Sequence, residues 1–317
     1  MRVFVTHRPG GAYGFITDAW INAFRSKGHD VRRWDGLEES WFSFGPDLYC
    51  ACSGHRQPIP AKRSTKVAIH VNPYGPIDVA GINESQNAID WTLAQRPDAV
   101  FGYGFEDDRL LWCYWTDRHG IPWVPMPTAG DKVLYNQEAD ETAKQYDMVY
   151  LGGRWSYKAQ SIDPYLFPTI DQPGVTYKLY GWGEWPSRYC SGTLADDKVA
   201  AFFQSGRVAP CISEPHTQRY GIDVPERVWK VALSGALAIH DPVPSLRNQC
   251  KSIIIAQNPT DYSKLCLYYS RAVNAEERVA KVKEQRAEIL ANHTYHHRLA
   301  GLLRAVGFTD AADDMLT

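Results

Sequence analysis

Short apolar runs typical of β-strands alternate with helical or loop stretches along most of the chain. In the first half the strand-like runs lie at 3–5, 29–34, 47–52, 66–71 and 99–101, and in the second half at 148–151, 177–180, 208–212 and 236–240. Alternation of this kind predicts parallel sheets covered by helices on both faces. The clearest helix, 17–27, is closed by Gly28, and a second, 225–233, begins with proline and is followed by Gly235.

The chain length favours two domains, because 317 residues exceed the usual size of a single hydrophobic core. We predict an α/β protein of two Rossmann-like domains that face each other across a cleft. Their expected bounds are 1–145 and 146–292, followed by a C-terminal helix at 293–317 that packs at the interdomain region. Ligands of such sheets bind at the carboxyl ends of the strands, so the segments just after each strand are the informative ones.

Composition and charge narrow the class of protein. The chain is 44% apolar and 22% charged, with a formal net charge of -2, as in an ordinary soluble globular protein. Without a global positive field, any nucleic acid must bind a local basic patch. No basic leader precedes an apolar stretch, and no apolar run approaches the roughly 20 residues that span a bilayer. We therefore expect a cytoplasmic protein without a membrane partner or an obligate protein partner.

The cysteines and histidines do not predict a metal site. Seven cysteines are scattered without a Cys-x-x-Cys pair, so we expect buried apolar side chains in a reducing compartment. His293, His296 and His297 have a helical spacing that could hold a metal. The sequence places no cysteine or carboxylate beside them, and packing is their expected role.

The glycine-rich loop after the first strand-like run has two interpretations. Gly10 and Gly11 permit close approach of the backbone to a phosphate or a sugar. A nicotinamide cofactor is the alternative, because Asp35 falls about 20 residues on, where an acid would hold ribose. Pro9, however, breaks the G-x-G-x-x-G pattern. A nicotinamide cofactor on the first domain would also leave the second Rossmann-like domain without a function. We therefore expect no bound cofactor.

Several segments of the second half are candidates for binding a diphosphate and a base. Glycines beside a guanidinium and an ammonium suit a diphosphate, cations at a helix start favour an anion, and a tryptophan could flank a nucleobase. The candidate residues are Gly152, Gly153, Arg154, Lys158, Gly181, Trp182, His216, Arg219 and Arg227. Glycines after strands also serve turn geometry alone, and interleaved acids leave a solvated charged loop open as the alternative.

The C-terminal third resembles a known family. The stretches "RVAPCISEPHTQRYGIDVPERVWKVALSGALAIHD" and "EILANHTYHHRLAGLL" are similar to the C-terminal domain of group 1 glycosyltransferases of the spore-maturation-protein-like type, and "YDMVYLGGRW" is similar to the opening of their donor domain. The resemblance implies the GT-B architecture, with a nucleotide sugar on the second domain, the acceptor on the first, and no obligatory metal. A UDP-sugar is the favoured donor.

Carried over by position, the resemblance places Arg154 and Arg227 near the donor diphosphate and Gly235-Ala236 near the sugar nucleotide. Lys230 stands where the family has a glutamate that accepts hydrogen bonds from ribose. Because a lysine cannot accept, we expect altered ribose contacts or an added phosphate contact.

The whole chain is also similar to phage-encoded glycosyltransferases, through "THRPGGAYG", "HVNPYG" and "FGYGFEDDRLLW". Some members of that group modify hydroxymethylated pyrimidines in viral DNA. The stretch 53–66 is basic and contains no acid, so it could follow a DNA backbone, although a solvated basic loop has the same charge. The expected acceptor-binding residues are His55, Arg56, Lys62, Arg63, Asn72, Tyr74 and Tyr103.

Two histidines are candidates for the general base of a sugar transfer. His7 and His70 lie at expected strand ends, and an imidazole that titrates near neutrality can take the proton of an acceptor hydroxyl. A retaining reaction would need no such base. The leading hypothesis is thus transfer from a nucleotide sugar to 5-hydroxymethyl-pyrimidine in viral DNA. The alternatives are transfer to a protein, a small molecule or a surface glycan, and a non-catalytic nucleotide- or DNA-binding module.

Overall fold

The computed structural model describes residues 1–6, 11–57, 59–60, 64–73, 85–106 and 114–317. The chain divides into two compact units. The first comprises Met1–Ala129 together with Tyr295–Thr317, and the second comprises Gly130–Thr294. The division thus falls at Ala129 and Thr294, compared with the expected bounds at 145 and 292.

A six-stranded, all-parallel sheet forms the centre of the first unit. Its strands are β1 Arg2–Thr6, β2 Asp30–Trp34, β3 Leu48–Cys52, β4 Lys66–His70, β5 Ala99–Gly102 and β6 Trp123–Pro125. Their spatial order is β2-β1-β3-β4-β5-β6. The helices of this unit are α1 Gly11–Ser26, α2 Glu38–Phe44, α3 Gln86–Ala94, α11 Tyr295–Ala305 and α12 Thr309–Leu316, with a 3-10 turn at Tyr114–His119.

Continuous apolar runs explain the buried central strands of this sheet. Every residue of β3 is buried, as expected for a parallel strand covered on both faces. α1 buries Ile16, Trp20 and Phe24, which are spaced four residues apart and therefore share one helix face. Aromatic side chains also fill this core: Trp34 packs edge-on against Trp41, with ring centroids 5.0 Å apart.

The second unit has a five-stranded parallel sheet. Its strands are β7 Tyr146–Leu151, β8 Tyr177–Tyr180, β9 Gly206–Cys211, β10 Leu237–His240 and β11 Ile254–Ile255, in the order β11-β10-β9-β7-β8. The helices are α4 Ser156–Ile170, α5 Val199–Gln204, α6 Pro215–Tyr220, α7 Arg227–Leu233, α8 Pro244–Gln249, α9 Pro259–Ser270 and α10 Ala275–Asn292. Short 3-10 turns lie at Glu141–Ala143, Asp196–Lys198 and Ala272–Asn274.

Both sheets confirm the predicted α/β fold, and their strand order locates a ligand site. In each unit the second strand lies on one side of the first and the third on the other, so the chain direction of the crossovers reverses between β1 and β3 and between β7 and β9. Ligands of doubly wound sheets bind at such a switch point. Among the described residues, no helix combines the length and the apolar content that crossing a membrane requires.

Candidate functional site

The loops that follow β7 and β8 are in direct backbone contact. The N–H of Gly152 donates to the carbonyl of Tyr180 at 3.1 Å, and the N–H of Arg154 donates to the carbonyl of Trp182 at 3.0 Å. A Cβ atom on Gly181 would overlap the carbonyl oxygen of Gly152. Glycine at 181 is therefore required by the approach of two backbones, whether or not a ligand binds.

Arg227 lies at the switch point of the second sheet. Its Nε donates to the carbonyl of Leu151 at 2.6 Å and its Nη1 donates to the carbonyl of Ile212 at 3.1 Å, so the guanidinium joins the carboxyl ends of β7 and β9. The guanidinium also covers the ring of Tyr150, 4.6 Å from its centroid. A Cβ on Gly152 would overlap Nη2 of Arg227, so the glycine leaves the room that this cation occupies.

Carboxylates neutralise two other predicted phosphate ligands. Arg154 makes two hydrogen bonds to Asp163 on α4, at 2.9 and 2.8 Å. Lys158, buried on the same helix, pairs with Glu214 at 3.0 Å. Burial and the nearby charge of Arg227 lower the pKa of Lys158, and Glu214 opposes that shift. Both cations therefore already have an anionic partner.

Lys230 is paired as well. It lies one helical turn after Arg227 on α7 and forms an ion pair with Glu226 at 2.8 Å. Its ammonium is also 5.5 Å from the ring centroid of Tyr135. Burial lowers the pKa of Lys230, but Glu226, Tyr135 and Asp131 together outweigh burial and the net shift is upward. Of the three cations on α7 and in the loop after β7, Arg227 differs because, among the residues that the structure describes, no carboxylate pairs with it.

Two stacked tryptophans border the same loops. The rings of Trp155 and Trp182 are nearly parallel, at 10°, with centroids 5.2 Å apart. Trp182 is 59% exposed, so one face of the pair is open to solvent. A Cβ on Gly153 would overlap the indole of Trp182. The sequence pattern predicts a base-binding role for Trp182 only. It misses Trp155, although Trp155 directly follows the predicted ligand Arg154.

The two predicted ligands before α7 lie on the short helix α6, in different surroundings. His216 is 4% exposed and lies between Tyr157, whose hydroxyl is 3.2 Å from Nδ1, and Asp223, whose carboxylate is 3.4 Å from Nε2. Arg219 is exposed and lies over the ring of Tyr220. His216 is thus a buried, hydrogen-bonded side chain, whereas Arg219 is solvated.

Gly235 and Ala236 lie at the opposite edge of the sheet from Arg227. Both residues precede β10, whereas Arg227 contacts the carboxyl ends of the strands, because α7 runs back across the sheet. Gly235 has φ of +76°, and its carbonyl accepts a 2.7 Å hydrogen bond from Lys144. The structure therefore separates these two predicted donor residues from the other donor loops.

A buried carboxylate at the end of β10 orders the segment after β9. Asp241 accepts hydrogen bonds from the N–H of Ser213 at 2.8 Å and from the amide of Gln218 at 2.6 Å. His240 Nδ1 lies 2.6 Å from its other oxygen. Burial opposes ionisation, but His240 and the hydrogen bonds outweigh it and lower the pKa of Asp241. Position directly after a strand was the signal that could have identified this residue.

In the first unit, His70 lies within an aromatic cluster. It is 1% exposed, its ring centroid is 4.3 Å from that of Tyr103 and 5.2 Å from that of Tyr13, and its Nδ1 is 3.7 Å from the thiol of Cys52. The imidazole is therefore surrounded largely by aromatic side chains. Asn72, two residues later, is half-buried.

Several predicted residues lie outside the described residues, and the rest of the basic stretch is partly neutralised. Those outside are His7, Gly10, Lys62, Arg63 and Tyr74; Gly11 begins α1. His55 is half-buried, and Arg56 is exposed and donates to the carbonyl of Ser53 at 3.1 Å. Lys66 pairs with Asp98 at 2.8 Å. Lys66 begins β4 whereas Arg56 follows β3, so the two lie at opposite edges of a parallel sheet.

Local hydrogen bonds account for Asp35. Its carboxylate accepts from the N–H of Leu37 at 2.9 Å and from the hydroxyl of Ser40 at 2.7 Å, and these bonds lower its pKa. It therefore orders the start of α2, which explains the residue without a ribose. Cys50 and Cys52 are buried as predicted, and burial raises the pKa of Cys50 to about 12.

Comparison with known proteins finds similarity in part of the sequence and in the fold. The model of a family described as glycosyl transferase-like matches residues 164–304. A structure of the T4 phage β-glucosyltransferase with UDP-glucose is 13% identical, covers 97% of this chain and 100% of its own, and has a TM-score of 0.59. Sucrose-phosphate synthase from Thermosynechococcus elongatus is 10% identical, covers 98% of this chain and 99% of its own, and has a TM-score of 0.64.

Two further structures bear on substrate and metal. A β-glucosyltransferase described as a DNA-modifying enzyme was solved with and without uridine diphosphoglucose, and is 13% identical with a TM-score of 0.58 over 97% of this chain and 100% of its own. Another structure of the T4 phage enzyme contains UDP and Mn²⁺. No curated protein sequence matches the chain. The predicted α/β fold, shared with glycosyltransferase structures, and the resemblance to glycosyltransferases are confirmed.

Proposed function

We propose that this chain, which has the fold of GT-B glycosyltransferases and matches a glycosyl transferase-like family model over residues 164–304, transfers a sugar from a UDP-sugar to a hydroxyl acceptor. We further propose that the acceptor is 5-hydroxymethyl-pyrimidine in viral DNA. The donor binds the second unit, at the carboxyl ends of β7 and β9. Nucleotide sugars are the substrates of the neighbouring T4 phage structures, which contain UDP-glucose or UDP.

The observation that carries the donor assignment is the guanidinium of Arg227, which forms no ion pair with a carboxylate of the residues that the structure describes. Its hydrogen bonds to the carbonyls of Leu151 and Ile212 fix its position without cancelling its charge. Sugar transfer leaves a diphosphate whose negative charge grows as the glycosidic bond breaks. A preorganised cation at that point stabilises the transition state more than the ground state, because it requires no reorganisation during the reaction.

The paired cations have a supporting role in this proposal. Arg154 with Asp163 ties the loop after β7 to α4, and Lys158 with Glu214 ties α4 to the start of α6. These pairs hold the loops in place and leave little net charge of their own. We therefore do not count Arg154 and Lys158 among the groups that neutralise the diphosphate.

The stacked tryptophans supply a surface for the nucleobase. The open indole face of Trp182 suits a planar pyrimidine, since an aromatic ring stacks on any base face at about 1–3 kcal/mol. Trp155 supports this indole from behind, at 5.2 Å. Stacking fixes the plane of the base and leaves its hydrogen-bonding edge to other groups.

His7 is the proposed general base for the acceptor hydroxyl. His70, the other predicted candidate, is 1% exposed beneath Tyr13 and Tyr103 and therefore has a packing role. His7 follows Thr6, the last residue of β1, next to the switch point of the first sheet. Exchange of His7 for alanine should remove the acidic limb of the pH–rate profile, whereas His70→Asn should mainly lower stability.

The DNA acceptor is supported by the similarity, over 97% of this chain, to a β-glucosyltransferase described as a DNA-modifying enzyme. The decisive experiment incubates the purified enzyme with a panel of UDP-sugars and with duplexes that differ only in the 5-hydroxymethyl group. A sugar-sized mass increment on the hydroxymethylated nucleoside alone is the expected result. Transfer to a small sugar instead would exclude DNA and favour a reaction like that of sucrose-phosphate synthase, whose structure has the higher TM-score of 0.64. Absence of transfer and of donor hydrolysis with every donor would contradict the enzyme itself.

Salt dependence provides a second test of the acceptor. If about three cations, Arg56 with Lys62 and Arg63, contact phosphates, DNA affinity should fall roughly 40-fold between 50 and 200 mM salt. Arg56→Ala should lower the slope of log affinity against log salt by about one. Lys66→Gln is the matched control, because Lys66 already pairs with Asp98 and should leave the slope unchanged. Equal effects of the two substitutions would contradict a phosphate contact at Arg56.

A further inference from the structure

A thiol, a carboxylate and an imidazole converge at the amino edge of the second sheet. Cys250 follows α8, Glu288 lies in the last turn of α10, and His293 directly follows that helix. One potential ligand atom from each side chain lies within 4.8 Å of the other two. Among the described residues this is the one group of three or more such side chains with this geometry.

We propose that Cys250, Glu288 and His293 form a binding site for a divalent transition metal, with Zn²⁺ as the expected ion. Thiolate sulfur, imidazole nitrogen and carboxylate oxygen are the ligands of protein zinc sites. Bonds of about 2.0–2.3 Å in a tetrahedral site hold ligand atoms about 3.3–3.8 Å apart, so the three groups need to approach one another by at most about 1.5 Å. Three protein ligands leave the fourth position to water.

The ligands are already held in place by their neighbours. The carboxylate oxygens of Glu288 accept the N–H groups of Lys251 at 2.9 Å and of Ser252 at 2.6 Å, which fixes the segment after Cys250 against α10. Side-chain hydrogen bonds from Ser252 and Cys250 also reach this carboxylate, so the thiol of Cys250 has to release its proton when a metal binds. Cys250 is 1% exposed, and its N–H caps α8 by donating to Leu246 at 2.8 Å.

The third ligand is oriented by ring stacking. The imidazole of His293 is 7% exposed and stacks on the indole of Trp229, with centroids 5.3 Å apart and planes at 22°. Fixed ring orientation is the usual contribution of the groups that surround a metal ligand. The carbonyl of His293 also accepts the N–H of Gly130 at 2.8 Å, so the site joins the first and last segments of the second unit.

This site is distinct from the donor site. Cys250 and Ser252 precede β11 and therefore lie at the amino edge of the parallel sheet, whereas Arg227 contacts the carboxyl edge. Any cation that accompanies the diphosphate would bind at the carboxyl edge. The site at the amino edge therefore has a structural role. Its loss should change metal content and thermal stability more than it changes catalysis.

The test uses tag-free, full-length protein that a chelator has freed of metal. After addition of Zn²⁺ and gel filtration, one zinc ion per chain should remain bound, and the melting temperature should rise with Zn²⁺ concentration. Cobalt(II) in place of zinc should show a thiolate-to-metal charge-transfer band. Cys250→Ser should abolish that band and weaken zinc binding by more than the roughly 10–100-fold that loss of a supporting group costs.

Cys190→Ser is the matched control, because Cys190 is a half-buried thiol of the same unit beside the carbonyl of Gly181. It should leave the cobalt band and the zinc content unchanged. The wild-type cobalt spectrum decides the question even if Cys250→Ser fails to fold. Absence of zinc uptake or of a thiolate band in the wild type, or a band that Cys190→Ser removes and Cys250→Ser preserves, would overturn the proposal.

Discussion

Removal of the guanidinium of Arg227 should abolish sugar transfer while the protein remains folded. Arg227→Ala deletes the hydrogen bonds to Leu151 and Ile212. A buried carbonyl left without a donor costs about 1–3 kcal/mol, and water that enters the vacated space would replace part of the loss. The expected destabilisation is therefore about 1–3 kcal/mol, which lowers the melting temperature by about 2–4 °C per kcal/mol in a unit of this size.

The loss of activity should be much larger than the loss of stability. Removal of one preorganised transition-state donor lowers kcat by about 10²–10³-fold, or roughly 3–4 kcal/mol of barrier. Arg227→Lys should have an intermediate effect, because a lysine keeps the charge but cannot fork between two carbonyls and a phosphate. Arg219→Ala removes the same charge from the exposed face of α6 and is the matched control.

The assay follows UDP release and product formation at several donor concentrations, with melting curves of every variant under the same conditions. Arg219→Ala should retain kcat/KM within about threefold, as expected for an exposed charge. A folded Arg227→Ala enzyme with kcat/KM within threefold of wild type would refute the donor assignment. So would an equal loss in Arg219→Ala, since general attraction of the anion would then explain both results.

Three further outcomes test the space beside Arg227, the stacked tryptophans and the buried ammonium of Lys144. Gly152→Ala should displace the guanidinium of Arg227 and lower kcat/KM by about 10²-fold, whereas Gly301→Ala, in open space on α11, should leave it unchanged. Trp182→Ala should raise the KM for the UDP-sugar by about 5–100-fold with little change in kcat, as loss of one stacked base predicts. Burial lowers the pKa of Lys144 from 10.5 to about 8, so between pH 8 and 10.5 the unfolded state binds the extra proton and the free energy of unfolding should rise with pH. Relative to Lys144→Met, the free energy of unfolding should rise by about 1–2 kcal/mol over this pH range, after allowance for partial exposure. Urea unfolding at each pH measures this difference. A difference between the two proteins that does not change with pH would exclude a buried ammonium at Lys144.

The sequence predicted nine of the eleven strands that the structure describes, because their apolar runs are long enough to identify. The two strands that it missed are β6, three residues long with Pro125 at its end, and β11, a pair of isoleucines. Runs this short form strands only because the neighbouring strand already has free backbone hydrogen-bonding groups along its edge. α4 was also missed, since Pro164 and Pro168 predict an interruption. Tertiary packing of Ile162, Leu166 and Ile170 nevertheless holds this helix in the core.

Prediction of the site was limited by ion pairs that depend on elements the sequence did not reveal. Asp163 pairs with Arg154 only because α4 carries it back toward the loop after β7. The pair of Lys230 with Glu226 was within reach, because a spacing of four residues on a helix brings opposite charges together. The contacts of Arg227 with two strand ends could not be predicted, since they join residues 76 and 15 positions apart in the chain.

A count of basic residues at a strand edge is therefore a weak guide to anion binding, and the partner of each cation is the informative quantity. A cation that faces a carboxylate contributes little to the field at a distance, because the two charges cancel. A cation held by carbonyl oxygens keeps its full charge, and the protein has already lost part of the hydration of that charge. A bound diphosphate would give this guanidinium new hydrogen bonds and an opposite charge. These interactions would replace the hydration that the guanidinium lost when the protein folded. By this criterion Arg227, together with the space left by Gly152, distinguishes the donor site from the paired residues that surround it.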